Sequence, residues 1–471
     1  MSASKKTLRL PRKKAAPTPH EERVRSGARA ARAQSQNRRR QRPVEPRQTA
    51  TPSASHQAIV KTSPQRIAPK PSEKKQGPAA QALPFAAFAP CPRGLEEMLA
   101  RELKQLGFTD VTPGRAGCHF QADWRDILRA NLYSRIATRI LVQLAQAPVR
   151  TPEDIYALAL DTEWEKWFGA RHSLRVDTSA VGSPMQSLQY CNLRVKDAIC
   201  DRIRAREGAR PDVDTVRPDA RVHLFLDANS ATLYLDSSGE SLFKRGWRYQ
   251  KGAAPLRENL AAGLLALADW SPEYPLVDPF CGSGTILIEA AWIALNAPPG
   301  LHRPFQFERL RNHNPRIWHQ IKDQARSQIR PTLETLLIGA DTDSAALDLA
   351  RQNLQQAKLA PDNIQFQVAN ALELLPPEGR PGWVVTNPPY GERLGAQDSS
   401  FWSDWSAQLK THYDGWSVNV ISSELGLPGH LRLSPDRRFP VFNGALDCRL
   451  FQFQIHGRRT EPNGAGATSE P

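Results

Sequence analysis

A short apolar strand that carries an acid at its end and runs into a glycine-rich turn constrains this chain more than any other stretch. Pro275 to Phe280 reads as that strand, with Asp278 near its end; Cys281-Gly282-Ser283-Gly284-Thr285 is the turn, and Ile286–Leu295 the helix behind it. A strand, turn and helix in this order aim backbone N–H groups and a helix N-terminus at a ligand. The glycines let the ligand approach the backbone. A pyrophosphate cradle is disfavoured, because the third glycine of the dinucleotide fingerprint would fall at position 287 and Leu287 occupies it. A Gly-Lys-Ser/Thr phosphate loop is lacking as well. The rhythm then repeats. Leu336–Ala340 reads as a second strand, closed by Asp341 and followed by helix Ser344–Gln356. An acid there can accept both hydroxyls of a ribose. Asp341 lies 63 residues beyond Asp278, against the roughly 20 usual between such elements, which predicts an insertion over Ala297–Pro331. A third strand, Asn363–Val368, precedes Asn370, a side chain able to meet the edge of an adenine ring. Any one of these polar residues can be a plain helix N-cap. Three at successive strand ends predict a doubly wound α/β sheet holding an adenosyl ligand.

The fourth strand, Gly382–Thr386, runs directly into Asn387-Pro388-Pro389-Tyr390. Strand C-terminal ends are where open α/β sheets place their chemistry. Two prolines fix the backbone and remove two donors, so the Asn387 side-chain oxygen and the Pro388 carbonyl are left as acceptors beside the flat face of Tyr390. The arrangement suits a planar ring bearing an –NH2 group. Such an amine is a poor nucleophile because its lone pair is conjugated into the ring. Accepting both hydrogens returns the pair to nitrogen and aims it at an electrophile. With a sulfonium methyl as that electrophile, positioning alone supplies about 7–11 kcal/mol of the barrier. The bland alternative is an ordinary proline-rich turn.

Before Leu256 the pattern is mixed. Arg93–Leu106, Asp126–Leu144 and Ser187–Arg206 carry helical periodicity, and Gly107 stops the first of them. Arg221–Asp227 and Ala231–Asp236 alternate as a hairpin around Asn229. An α+β region from Phe85 onward is predicted. Charge divides the chain more sharply. Residues 1–84 hold 20 Lys and Arg against 4 Asp and Glu, with 11 Pro and no aromatic residue, whereas the remainder of the 471 residues has a net charge of −1. Such a segment cannot offset its ordering entropy, so a disordered arm is predicted. Clusters such as Arg38-Arg39-Arg40 would grip RNA phosphates; a merely solubilising tail is the alternative. The six cysteines form no CxxC pair and no cluster with histidine, which argues against a metal site and for thiols in a reducing cytoplasm. No stretch approaches the roughly 18 apolar residues of a membrane span, and no apolar leader opens the chain. Residues 457–471 are predicted to fray.

Taken together, Asp278-Pro-Phe-Cys-Gly-Ser-Gly-Thr-Ile-Leu-Ile-Glu289, Asp341 and Thr386-Asn-Pro-Pro-Tyr-Gly-Glu-Arg-Leu394 resemble class I S-adenosylmethionine-dependent amino-methyltransferases. The chain is most similar to the bacterial 23S ribosomal RNA guanine-N2 methyltransferases that carry a THUMP domain. Arg93-Gly-Leu-Glu-Glu97, Val195-Lys-Asp-Ala-Ile199, Arg245-Gly246, Ala254-Pro-Leu256 and Asn443-Gly-Ala-Leu-Asp447 extend the likeness over residues 85–456. The resemblance implies a basic tail (1–84), a ferredoxin-like lead-in (85–126), a THUMP RNA-binding domain (127–240), a Rossmann-like methyltransferase domain (241–457) and a disordered end (458–471). It implies that Asp278, Cys281, Gly282, Gly284 and Thr285 hold the methionine end of S-adenosylmethionine, that Asp341 holds the ribose, and that Asn387, Pro388, Pro389 and Tyr390 bind the guanine amine. The family usually has Asp where Asn370 stands, which implies a weaker adenine contact. Lys196 would touch phosphate, or else be a solvated lysine on a helix face. The target guanosine must be unstacked or flipped. A second methyltransferase domain found in some members makes 7-methylguanosine, and the chain is expected to end too early for that activity. A THUMP-bearing transfer-RNA guanine-N2 methyltransferase, DNA adenine-N6 or protein glutamine methylation, and a non-catalytic RNA-binding assembly factor stay open as alternatives.

Overall fold

The computed structural model describes residues 84–248, 256–389 and 399–456; the basic segment with Arg38, Arg39 and Arg40, Tyr390, and the stretch from residue 457 lie outside them. Strand β1 (Phe85–Pro90), helix α1 (Glu96–Gln105), strands β2 (Thr109–Gly114) and β3 (Gly117–Ala122), helix α2 (Trp124–Tyr133) and strand β4 (Leu141–Pro148) come first. Helix α3 (Pro152–Asp161), β5 (Ser173–Ala180), α4 (Leu188–Glu207), β6 (Asp212–Val213), β7 (Ala220–Leu226) and β8 (Ser230–Asp236) follow. All eight strands form one sheet in the order β2-β3-β1-β4-β8-β7-β5-β6. Phe120, Ala87, Val142, Leu235, Val222 and Val176 are successive partners across six of those strands. All six side chains are buried, so one continuous buried row crosses these six strands. The hairpin expected around Asn229 is present, closed by Asp227, whose carboxylate accepts from the Asn229 and Ser230 amides at 2.8 and 2.6 Å.

The helix expected over Asp126–Leu144 is corrected: it stops at Tyr133, and Leu141–Pro148 is strand β4. Ser134 turns extended while the Glu102 carboxylate takes its hydroxyl and the Arg135 amide. Beyond it, the apolar run pairs with β1 on one side and β8 on the other. Short apolar runs suit either period, and the long-range ladder decides. Residue 126, expected as a domain boundary, lies inside α2.

The second sheet follows the repeating rhythm. Helix α5 (Glu258–Leu267), β9 (Leu276–Asp278), α6 (Thr285–Ala294), α7 (Pro315–Ser327), β10 (Leu337–Asp341), α8 (Ser344–Gln356), β11 (Gln365–Val368) and β12 (Trp383–Thr386) lead to α9 (Ser399–His412), β13 (Ser417–Ser422), α10 (Leu427–Leu431), β14 (Arg437–Asn443) and β15 (Leu446–Gln454). Their order is β11-β10-β9-β12-β13-β15-β14, parallel up to β13 and antiparallel at β15 and β14. The order reverses at β9, and the crevice at its C-terminal end is where such sheets bind ligands.

The predicted insertion at 297–331 is a bridge. Its Gly300 amide donates to Leu132 O, Arg303 Nη1 to Ser241 O (2.7 Å), Gln306 Nε2 to Pro218 O (2.8 Å) and Arg311 Nη2 to Glu207 Oε2 (2.9 Å). On the other side, the turn after β1 reaches β14: Phe442 N–H donates to Arg93 O at 3.2 Å, and the Arg93 guanidinium lies 4.3 Å from the Phe442 ring centre. Gly94 has φ +91°, and a Cβ there would stand 2.0 Å from Pro440 O. Gly94→Ala is therefore expected to destabilise the protein by at least about 1–3 kcal/mol, through overpacking against backbone. Gly182→Ala, also at positive φ but facing open space, should cost less; paired urea-denaturation midpoints check the difference.

Candidate active site

Four strand ends and one turn make the candidate site. Asp278 closes β9 and is 2% exposed. Its Oδ1 accepts from the Thr386 hydroxyl at 2.6 Å and the Phe280 amide at 3.2 Å. Burial pushes this carboxyl up to about 7; the negative charge of Asp341 adds to the rise, and the two hydrogen bonds oppose it. Thr386 is the last residue of β12 and immediately precedes Asn387. One hydrogen bond thus joins the first acid to the strand that ends in the proline pair.

The turn is held from the second strand. Gly282 has φ +49°, a conformation that favours glycine, and its N–H donates to Asp341 Oδ2 at 2.9 Å. A Cβ added to Gly282 would meet nothing within 4 Å, so that side of the turn is open for a ligand. Gly284, at φ +78°, caps α6. The Asn353 side chain of α8 donates to Ser283 O at 3.1 Å. Cys281 is buried and gives its N–H to Ala340 O, so it anchors the turn to β10. Leu287, which replaces the fingerprint glycine, packs over Gly339 of β10: a Cβ at 339 would lie 2.6 Å from Leu287 Cδ1. Helix and strand approach closely here because the glycine is on the strand.

Asp341 also accepts the Asp343 amide through Oδ1 at 3.0 Å. Each of its oxygens retains a second lone pair for a hydroxyl donor. The helix cap is Asp343, whose carboxylate takes the Ala345 amide at 2.9 Å, and this leaves Asp341 to the turn. Asn370 follows β11; its Oδ1 accepts from the Leu372 amide at 3.0 Å and its carbonyl from Glu373 and Leu374. After Thr386, Asn387 is half-buried, Pro388 buried and Pro389 exposed, while Tyr390 lies outside the described residues. Thr285 is buried and its hydroxyl accepts from Arg248 Nη2 at 3.2 Å. Lys196 stands apart on α4, where its ammonium pairs with Asp197 at 2.7 Å.

Sequence reasoning missed three contributors. Thr386 was legible only as a strand residue, although its place next to Asn387 was a signal. Arg248 stands two residues after the Arg245-Gly246 pair, with no spacing that tied it to the turn. Phe280, whose neighbours are Trp405 at 5.4 Å, Phe401 at 6.1 Å and Trp402 at 6.4 Å, forms an aromatic wall with the start of α9. A cavity of about 460 Å³ opens elsewhere, between α1 and α5; Glu102, Arg135 and Trp270 line it, and none of the strand-end residues does. All six cysteines are buried. Among the described residues, no cluster of potential metal ligands forms and no helix is long and apolar enough to cross a membrane.

Three family matches follow the chain. Residues 86–141 match the RlmL ferredoxin-like domain, 149–236 the THUMP domain, and 245–452 the RMKL-like methyltransferase domain. Relatives named ribosomal RNA large subunit methyltransferase K/L are 39% identical over 80% of the chain in Syntrophotalea carbinolica and 37% over 79% in Shewanella oneidensis. The chain spans about half the length of these curated relatives, 54% and 53% respectively. Among solved structures, SMU.472 in complex with SAH is 26% identical, with a TM-score of 0.73 over 81% of this chain and 100% of that one. A possible methylase from Clostridium difficile 630 gives 29% identity and a TM-score of 0.73 over the same shares, 81% and 100%. The chain thus carries, in order, a ferredoxin-like lead-in, a THUMP domain and a class I methyltransferase sheet that matches the RMKL-like methyltransferase domain.

Proposed function

We propose that this protein transfers a methyl group from S-adenosylmethionine to the exocyclic N2 of a guanosine in 23S (large-subunit) ribosomal RNA. The observation that carries this reading is the Thr386–Asp278 hydrogen bond, which couples the buried acid beside the glycine turn to the acceptor pair at Asn387 and Pro388. The names of the relatives support ribosomal RNA as the substrate. The open side of Gly282 and the acceptors on Asp341 fit an adenosyl cofactor. In this reading Asp278, Cys281, Gly282, Gly284 and Thr285 shape the methionine end, Asp341 takes the ribose hydroxyls and Asn370 faces the adenine.

The cofactor, when bound, supplies a methyl on a cationic sulfur. The chain's own residues do the rest. Asn387 and Pro388 accept the two amine hydrogens and orient the lone pair, and Tyr390 stacks on the ring, worth about 1–3 kcal/mol. No strong base is required, since the alkylated amine loses its proton readily. The lead-in and THUMP domains, with Lys196, and the basic segment containing Arg38, Arg39 and Arg40 track phosphates, in a cytoplasmic setting. Methylation with labelled cofactor on separated ribosomal, transfer and genomic nucleic acids, followed by nucleoside mass spectrometry, tests the assignment. N2-methylguanosine in large-subunit RNA is expected. Label in transfer RNA would keep the mechanism and replace the substrate; label in DNA adenine would keep the amine chemistry and replace both nucleic acid and base.

The raised Asp278 carboxyl gives the site a pH dependence. A cationic amine binds the ionised form, so binding must expel the proton that Asp278 holds below about pH 7. SAH affinity is therefore expected to rise from pH 6 to pH 8 and level off above; Asp278→Asn should weaken binding and flatten the profile. Isothermal titration at three pH values reads both.

A further inference from the structure

The linker that leaves the first sheet sends two arginines, three residues apart, onto helix α6. Arg245 reaches Glu289 in the middle of the helix, with Nε 3.2 Å from Oε1. Arg248 reaches its beginning. Its guanidinium spans four groups: Nε donates to Glu258 Oε1 at 2.9 Å, Nη2 to Leu256 O at 3.0 Å and to Thr285 Oγ1 at 3.2 Å, and Nη1 to Ser283 Oγ at 3.5 Å. The Arg248 side chain is 14% exposed and that of Glu258 5%. Ser283 and Thr285 flank Gly284, and both Gly282 and Gly284 sit at positive φ. A turn built on two such glycines has the freedom to collapse unless neighbours hold it. Asp341 holds the Gly282 amide and Asn353 the Ser283 carbonyl; Arg248 supplies the tie on the hydroxyl side.

We propose that Arg248 is a positioning residue for the cofactor turn: by donating to Ser283 and Thr285 while anchored on Glu258, it holds Gly282–Gly284 in the shape that receives S-adenosylmethionine. This rests on the reading of the turn as the cofactor cradle. A planar fork is what the geometry demands. A lysine would keep a cation opposite Glu258, yet one ammonium cannot reach the carboxylate and both hydroxyls in the same fixed plane. Arg248→Lys therefore separates positioning from neutralising the buried Glu258.

The full chain should be titrated with SAH in four versions: wild type, Arg248→Lys, Thr285→Val and the double variant. Arg248→Lys is expected to weaken SAH binding at least ~5-fold, the scale of a lost hydrogen bond. Thermal unfolding should stay close to wild type, and the RNA KM should not change. Thr285→Val should cost a similar factor alone and little more on top of Arg248→Lys, because both remove one shared contact. Unchanged SAH affinity in Arg248→Lys, or two losses that multiply in full, would overturn the positioning role. Failure of the wild-type protein to bind SAH would instead bring down the cofactor reading, and this proposal with it.

Discussion

Asn387→Ala is expected to lower methyl turnover at least ~100-fold, on the scale of removing one oriented polar group from a transition state, with SAH affinity nearly unchanged. The side chain is half-buried directly after Thr386, itself fully buried and bonded to Asp278. The Thr386–Asp278 bond therefore still holds the strand end when the Asn387 amide is removed. Alanine removes the acceptor and leaves the Pro388 carbonyl, so one amine hydrogen is still held but the lone pair is no longer aimed. Loss should therefore appear in kcat, with RNA and cofactor affinities within about twofold. Single-turnover methyl transfer with saturating cofactor measures it, and near-wild-type turnover would remove Asn387 from the chemistry.

Arg245→Met carries the largest expected stability loss, about 3–5 kcal/mol, the scale of a buried ion pair broken on one side. Arg245 and Glu289 side chains are 1% and 0% exposed, with contacts at 3.2 and 3.3 Å. Arg245 also donates to Leu242 O and Arg135 O, so one side chain joins the linker, the segment after α2 and helix α6. Removing it leaves the Glu289 carboxylate in the core without its hydrogen-bonded counter-charge, facing only the positive field of Arg135. Adding Glu289→Met should recover part of the loss by eliminating that stranded charge, but not the two carbonyl contacts. Urea unfolding of wild type, single and double variants gives the comparison; equal stability of Arg245→Met and wild type would show that the pair is not bearing charge in the core.

The α/β half was largely legible. Helix Ser344–Gln356 was read with its observed bounds, and the second, third and fourth strands were each located within a residue or two, because glycines, acids and prolines punctuate each unit where backbone geometry needs them. Asp341 was read as a ligand for ribose, yet its bond to Gly282 depends on two strand ends 59 residues apart in sequence and could not be read from spacing. The same holds for Thr386 and Asp278, separated by 108 residues. In the first half, Leu141–Leu144, the start of β4, was misread as helix because its apolar residues fit both periods; only the two neighbouring strands choose between them. The insertion was legible as excess length, and its role as a bridge was not, since Gln306 and Arg311 find their partners in the loop before β7 and at the end of α4, 88 and 104 residues earlier in sequence.

Strand β4 pairs along its length with β8 and at its start with β1, so the lead-in and THUMP domains share a ladder where two modules would ordinarily share a linker. Cutting the chain at residue 149, where the THUMP match begins, would strip β8 of β4, one of its two partners, and leave only β7. A row of unpaired N–H and C=O groups would then face solvent over Ser230–Asp236, the kind of edge that recruits other chains. A THUMP domain excised at its family boundary should accordingly precipitate or dimerise through that edge, whereas one cut ahead of β1 keeps it covered. The practical unit of inheritance, expression and domain exchange in this protein is the eight-stranded sheet.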